Sequence, residues 1–143
     1  MNPDQTNTKP VGPFSVLAGE DLTGKRSRLV ILTHDTGVPE TKLPTANTAD
    51  ALYQLQEEGA DATRVSIERF GPHRSFRVPL KDAVNPGDRL VLADVATAAD
   101  KGKVRKLPVA AGTYRVLALA REAGVADQNV LCDSVGPFDV VVP

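Results

Sequence analysis

The chain has 143 residues, a length typical of one ordinary domain. Its 17 Lys and Arg residues nearly balance its 18 Asp and Glu residues, and the net charge of -1 argues against a generic nucleic-acid binder, which carries a basic excess. A single cysteine, Cys132, excludes an internal disulfide and a thiolate metal cluster. No window holds the ~18 apolar residues of a membrane span, and the first 13 residues lack an apolar signal segment, so we expect a soluble protein made inside the cell.

The N-terminal segment, residues 1–13, reads MNPDQTNTKPVGP. Because three prolines and several Asn and Thr residues give it neither a helical nor a strand period, we interpret it as an extended arm, either disordered alone or ordered only against a partner. The remaining residues, 14–143, are predicted to form a single β domain.

Short apolar or alternating runs follow the arm at intervals of roughly ten residues, separated by Gly, Pro, Asn and Asp turns. The predicted strands are Phe14–Ala18, Leu29–Thr33, Arg64–Glu68, Ser75–Leu80, Arg89–Ala93, Val104–Leu107, Thr113–Leu119, Asn129–Asp133 and Phe138–Val142. Residues 36–48 are predicted as a long loop. This spacing predicts an all-β fold, a compact small barrel or sandwich of short antiparallel strands.

Two segments carry additional information. Residues 49–59, ADALYQLQEEG, have the propensity of a helix with Gly59 at its C-terminal end, but their apolar side chains would also serve in a strand. Pro79 cannot donate to a sheet ladder, so its strand lies at an edge or ends there.

Catalytic and metal-binding patterns are weak. His34 and His73 are the only bases that titrate near neutral pH, and neither has a nucleophile at a useful spacing. Two distant histidines and one cysteine offer no set of metal ligands, and no phosphate loop is present. Cys132 lies in an apolar run and is interpreted as a buried small hydrophobe. We therefore expect no catalytic residues, no metal and no cofactor.

One stretch raises a nucleic-acid alternative. Basic and aromatic residues interleave across a predicted hairpin at Arg64, Arg69, Phe70, His73, Arg74, Phe76 and Arg77. On a β-barrel such residues can form a stacking platform for single strands. However, Phe76 shares its face with Val78 and Leu80, which favours a core role. A single-strand-binding barrel stays an alternative function, and a small trimeric β enzyme is the less favoured one.

Four stretches of the chain form a pattern of turns and strands. They read AGEDLTGKRSRLVILT, LYQLQEEGADATRVSIERFG, VPLKDAVNPGDRLVL and GKVRKLPVAAGTYRVLALAREAG. In this order they resemble the small capsid cement, or decoration, proteins of tailed bacteriophages. The matching motifs fall at residues 19–30, 52–67, 83–90 and 111–124, and the resemblance covers residues 14–133. The chain departs from the family at Arg28, where a glycine is usual, and at Tyr53-Gln54, where Gly-Val is common.

The resemblance implies a non-enzymatic virion protein that binds the outer capsid surface and stabilises the shell. It implies a homotrimer that contacts the major capsid protein, is made in the host cytoplasm, and binds neither nucleic acid nor membrane directly. It also implies that Leu52 to Gln56 form a strand rather than a helix.

The arm and the kink into Phe14 are the predicted partner contacts. Prolines make the arm poor at pairing in its own sheet but stiffen it, so less entropy is lost when it lies on a partner. The candidate contact residues are Asn2, Pro3, Gln5, Asn7, Pro10, Val11, Pro13 and Phe14. The sequence Val-Gly-Pro-Phe at 11–14 recurs at 135–138, which suggests a Gly-Pro kink followed by a Phe that anchors an edge strand at both ends of the chain.

Overall fold

The computed structural model describes residues 12–71 and 74–143, which form ten β-strands and, within these ranges, no α-helix. The strands are β1 (Phe14–Ala18), β2 (Leu29–Thr33), β3 (Glu40–Lys42), β4 (Tyr53–Leu55), β5 (Arg64–Arg69), β6 (Ser75–Pro79), β7 (Arg89–Leu92), β8 (Val104–Lys106), β9 (Gly112–Ala120) and β10 (Asn129–Val142). A 3-10 turn spans Ala98–Asp100. The predicted all-β fold class is confirmed. Within the described ranges no helix has the length and apolarity of a bilayer crossing.

The first five strands close into a barrel in the order β1-β3-β2-β4-β5. Alternation along each strand sends every second side chain inward. In β1 these inward residues are Val16 and Ala18, and in β5 they are Val65 and Ile67, all of them buried. We call this unit the first barrel.

The last five strands form a sheet in the order β6-β10-β9-β7-β8. Its two ends approach each other, because Leu80, just after β6, bridges in parallel to Val104 of β8 and Lys81 N donates to Val104 O at 2.8 Å. The sheet is therefore almost closed, and we call it the second barrel. Pro79 ends β6, one of the two outermost strands, as its missing N–H predicts.

The two barrels have the same topology. Taken around the ring from its first strand, each barrel places its strands in the order first, third, second, fourth, fifth. In both, the first strand meets the third in parallel while the other neighbours run antiparallel. The chain therefore contains two structural repeats, and each barrel is one of them.

Individual backbone hydrogen bonds recur between the repeats. Three such bonds in the first barrel run from Ala18 N to Thr63 O, from Ala62 N to Ala18 O and from Leu22 N to Gly59 O. Their counterparts in the second barrel, in the same order, run from Leu80 N to Gln128 O, from Asp127 N to Leu80 O and from Val84 N to Gly124 O. All six donor–acceptor distances lie between 2.8 and 3.0 Å. Ala62 and Asp127 occupy equivalent places, and both adopt the left-handed conformation, at φ 60° and 66°.

Residues of the first barrel complete the core of the second barrel. One apolar cluster fills the first barrel, and a second fills the interior of the second barrel. The second cluster also includes Leu29 and Ala51 of the first barrel, with Ile31 packed against it. Since Val30 points into the first barrel, its neighbours Leu29 and Ile31 lie on the outer face, and this face covers the second barrel.

Hydrogen bonds to backbone carbonyls of the second barrel stabilise this junction. The Arg28 side chain donates to the carbonyls of Ala99 and Lys101 at 2.9 and 2.8 Å, and Leu29 N donates to Gly102 O at 2.8 Å. Gly102 has φ 80°, and a Cβ there would lie 2.7 Å from Leu29 O. Glycine is therefore required both by the conformation and by the close approach of the two barrels.

The structure corrects one prediction in the first half and decides between two alternatives that the sequence left open. The predicted loop 36–48 contains the three-residue strand β3. In residues 49–59 the helix suggested by propensity is wrong, because Tyr53–Leu55 pair with both β2 and β5. The strand implied by the family resemblance is confirmed there, since pairing on both sides outweighs a weak helix propensity.

Two predictions at the chain ends also change. The predicted strands 129–133 and 138–142 are one strand, β10, whose register with β9 shifts between Ser134 and Phe138. The proposed pair of edge strands after Gly-Pro is wrong. β1 lies between β3 and β5, β10 lies between β6 and β9, and Gly12 has φ 111° whereas Gly136 has no positive φ.

Candidate functional site

The end of the first barrel at which β1 begins exposes apolar side chains, and we call it the first mouth. Phe14 shares a strand face with the buried Val16 and Ala18 but is 38% exposed, because it lies at the end of the barrel. Its ring meets Tyr53 edge-on, with centroids 5.8 Å apart and an interplanar angle of 82°. Val38, two residues before β3, is 45% exposed at the same end.

The predicted contact residues divide into two groups. Asn2, Pro3, Gln5, Asn7, Pro10 and Val11 lie outside the described residues. Pro13 is exposed, and Phe14 lies at the first mouth, so the arm joins the fold beside an apolar patch. Sequence reasoning missed Tyr53 and Val38, since only the closed barrel brings β3 and β4 to the same end as β1.

A second exposed patch lies on the outer face of the second barrel. Phe138 is 42% exposed, and the guanidinium carbon of Arg89 lies 5.9 Å from the centre of its ring. Phe138 pairs with Val116 of β9, which pairs with Val91 of β7, and both valines are buried. The interaction of Arg89 with the ring is a cation–π contact of the exposed kind.

Charged side chains in the second barrel form a structural network. Asp100 accepts hydrogen bonds from Lys81 at 2.6 Å and Lys103 at 3.0 Å, and Lys103 also reaches Asp127 at 2.7 Å. The ammonium groups of Lys81 and then Lys103 lower the pKa of Asp100. These contacts join three turns near Arg28. Within residues 12–71 and 74–143, no three His, Cys, Asp or Glu side chains converge as metal ligands.

The basic and aromatic hairpin does not form a stacking platform in the described residues. Phe70 is buried and its ring lies 4.4 Å from that of Phe76, so the two rings pack on each other. Arg74 is paired with Glu68, and Arg77 is paired with Glu122 at 2.5 Å. Arg64 and Arg69 are exposed, and His73 lies outside the described residues.

Cys132 is buried inside the second barrel, in agreement with its interpretation as a small hydrophobe. Its thiol lies 3.3 Å from the Phe76 carbonyl, and burial raises the pKa of Cys132 to about 12. The protonated form therefore dominates at neutral pH, and the side chain contributes packing rather than nucleophilic chemistry.

Comparison with known proteins finds a likeness in structure. The N base of head fiber gp8.5 of bacteriophage phi29 superposes with a TM-score of 0.64 at 15% identity, covering 87% of this chain and 93% of that one. The two chains share a fold across both barrels. No family model matches the sequence, and no curated protein matches it. The resemblance to the cement family therefore stays a prediction, beside a structural likeness to a phage head protein.

Proposed function

We propose that this chain is a non-enzymatic structural protein of a bacteriophage virion that binds the outer surface of the capsid and stabilises the shell. The observation that carries the proposal is the likeness of the fold to the base of a phage head fiber, over nearly the full length of both chains. The partner is the major capsid protein, and the protein acts as a homotrimer after synthesis in the host cytoplasm.

Contact with the shell involves the N-terminal arm, residues 1–13, and the kink into Phe14. The arm residues Asn2, Gln5 and Asn7 offer side-chain amides to a neighbouring backbone, and Pro3 and Pro10 limit the entropy lost on ordering. Phe14, whose ring meets Tyr53 edge-on, fixes the point at which the arm leaves the barrel. Many copies on one lattice make such modest contacts collectively strong.

The experiment mixes purified protein with shells assembled from the major capsid protein of the phage that encodes it. Cosedimentation measures occupancy, and the temperature at which shells rupture measures stabilisation. We expect saturable binding and a higher rupture temperature. Absence of the protein from the shell pellet at saturating concentration would refute the proposal.

A deletion of residues 2–12 tests the role of the arm. The truncated protein is expected to unfold at an unchanged temperature, because the described strands begin at Phe14, but to lose saturation of the shell. The matched control replaces Val125, which is 56% exposed on the connection between β9 and β10, with Asp and should bind normally. Full decoration by the truncated protein would show that the arm is not the contact.

A further inference from the structure

Because the two barrels are repeats, each surface that meets at the junction between them has an equivalent surface on the other barrel. At this junction the outer face of the first barrel, with Leu29 and Ile31, covers the end of the second barrel at which β6 begins, the second mouth. Phe76 lies at the second mouth and packs on Phe70, which follows β5. Gln54 of the outer face also donates to the Arg77 carbonyl of β6.

Each half of this junction has a counterpart elsewhere in residues 12–71 and 74–143. Phe14 is the equivalent of Phe76, because Phe14 pairs with Ile67 as Phe76 pairs with Cys132. Arg89 is the equivalent of Leu29, because Leu29 pairs with Gln54 as Arg89 pairs with Leu119. The first mouth and the part of the outer face around Arg89 and Phe138 therefore correspond to the two halves of this contact, and both carry exposed side chains among the described residues.

Both of these surfaces carry exposed apolar side chains. Phe14 and Val38 are exposed at the first mouth beside the half-buried Tyr53, and Phe138 is exposed next to Arg89 on the outer face of the second barrel. The sequence supports the same correspondence, since Phe70-Gly-Pro follows β5 and Val135-Gly-Pro occupies the matching place in the second repeat. Within one chain Phe70 packs on Phe76. By the same correspondence, residues 135–138 of one copy would pack on Phe14 of another copy.

We infer that copies of this chain associate head to tail, the outer face of the second barrel of one copy covering the first mouth of the next. The contact repeats between chains the junction that already exists within the chain. Because the two surfaces differ, the interface is heterologous and must close into a ring to give a finite assembly. The inference rests on the proposed function only for the number of copies, three.

The test uses the full protein alone and measures mass by light scattering across a concentration series. Wild type is expected to form an assembly larger than one chain. Phe14→Asp and Phe138→Asp each place a charge in one half of the contact and should weaken association by at least about 30-fold, the effect of losing one interface hot spot. Val125→Asp, the control on the exposed connection between β9 and β10, should assemble as wild type does.

Mixing the two variants distinguishes a head-to-tail contact from a symmetric one. The first mouth of the Phe138→Asp chain and the outer face of the Phe14→Asp chain are both intact, so the equimolar mixture should form a two-chain complex that neither variant forms alone. A monomeric wild type, or a mixture that stays monomeric, would overturn the inference. If an Asp variant unfolds early, the Ser variants at the same positions replace it. Capsid binding is measured separately, so either result leaves the proposed function to its own test.

Discussion

Gly124→Ala tests the packing of the second barrel at its tightest point. A Cβ at Gly124 would overlap the Val130 side chain and lie 3.0 Å from Leu80 Cδ1, and both neighbours are buried core residues. Overpacking of this kind costs about 1–3 kcal/mol, and the upper end applies because two rigid neighbours are met at once. Alanine recovers about 0.5–1 kcal/mol of backbone entropy. The net destabilisation is therefore about 2 kcal/mol, or roughly 6 °C in the unfolding temperature at this length.

The assay is thermal unfolding followed by circular dichroism in the far ultraviolet. Gly136→Ala is the matched control, since its Cβ would meet nothing within 4 Å and its φ is not positive. It makes the same entropy gain without overlap and should unfold at or slightly above the wild-type temperature. If Gly124→Ala unfolds no earlier than Gly136→Ala, the reasoning about close packing at Gly124 is wrong.

Four further predictions follow from the described residues. Ala62→Gly should raise the free energy of unfolding in urea by about 0.5–1 kcal/mol, because Ala62 holds φ 60° without needing its Cβ. Cys132, whose pKa is raised to about 12, should react slowly with a thiol reagent at pH 8 and rapidly in denaturant; fast native labelling would contradict its burial. Lys81 and Lys103 lower the pKa of Asp100 below its unfolded value of about 4. The stabilisation that these contacts give the folded state is therefore present above that pH and is lost as the pH falls through the folded pKa. Asp100→Asn should accordingly lose less stability on acidification than wild type, as measured by urea unfolding at several pH values. Residues 14–143 should unfold in one transition, because residues of the first barrel complete the core of the second barrel, and calorimetry would detect two if they do not.

Much of the fold could be predicted from local pattern. Alternation in Arg64–Arg69 and the apolar runs of β2 and β7 identify strands directly, because period-two burial leaves a clear trace in sequence. β3 could not be found this way. It has only three residues, Glu-Thr-Lys, and its place depends on parallel pairing with β1, a contact between distant parts of the chain.

The structural repeat could not be predicted from the sequence either. Gly59 and Gly124 are identical and both sit where a Cβ would strike a neighbouring side chain, and Val65 corresponds to Val130 inside each barrel. These identities are too few to be noticed without the hydrogen bonds that relate them. Leu29 is covered by the second barrel within the chain, whereas Arg89 is exposed in the single chain and contacts the Phe138 ring.

The recurring Gly-Pro dipeptides gain a meaning from the topology. They stand at Gly12-Pro13, Gly71-Pro72 and Gly136-Pro137, before the first strand, between the barrels and within the last strand, so they bracket the two repeats. Gly71-Pro72 and Gly136-Pro137 hold equivalent places in the two repeats, whereas Gly12-Pro13 precedes a first strand, so the echo between residues 11–14 and 135–138 does not itself mark the duplication. At the middle dipeptide the flanking aromatic residues, Phe70 and Phe76, are packed on each other. At the outer two, Phe14 and Phe138 are half exposed, as expected for two ends of one contact that a single chain cannot close on itself.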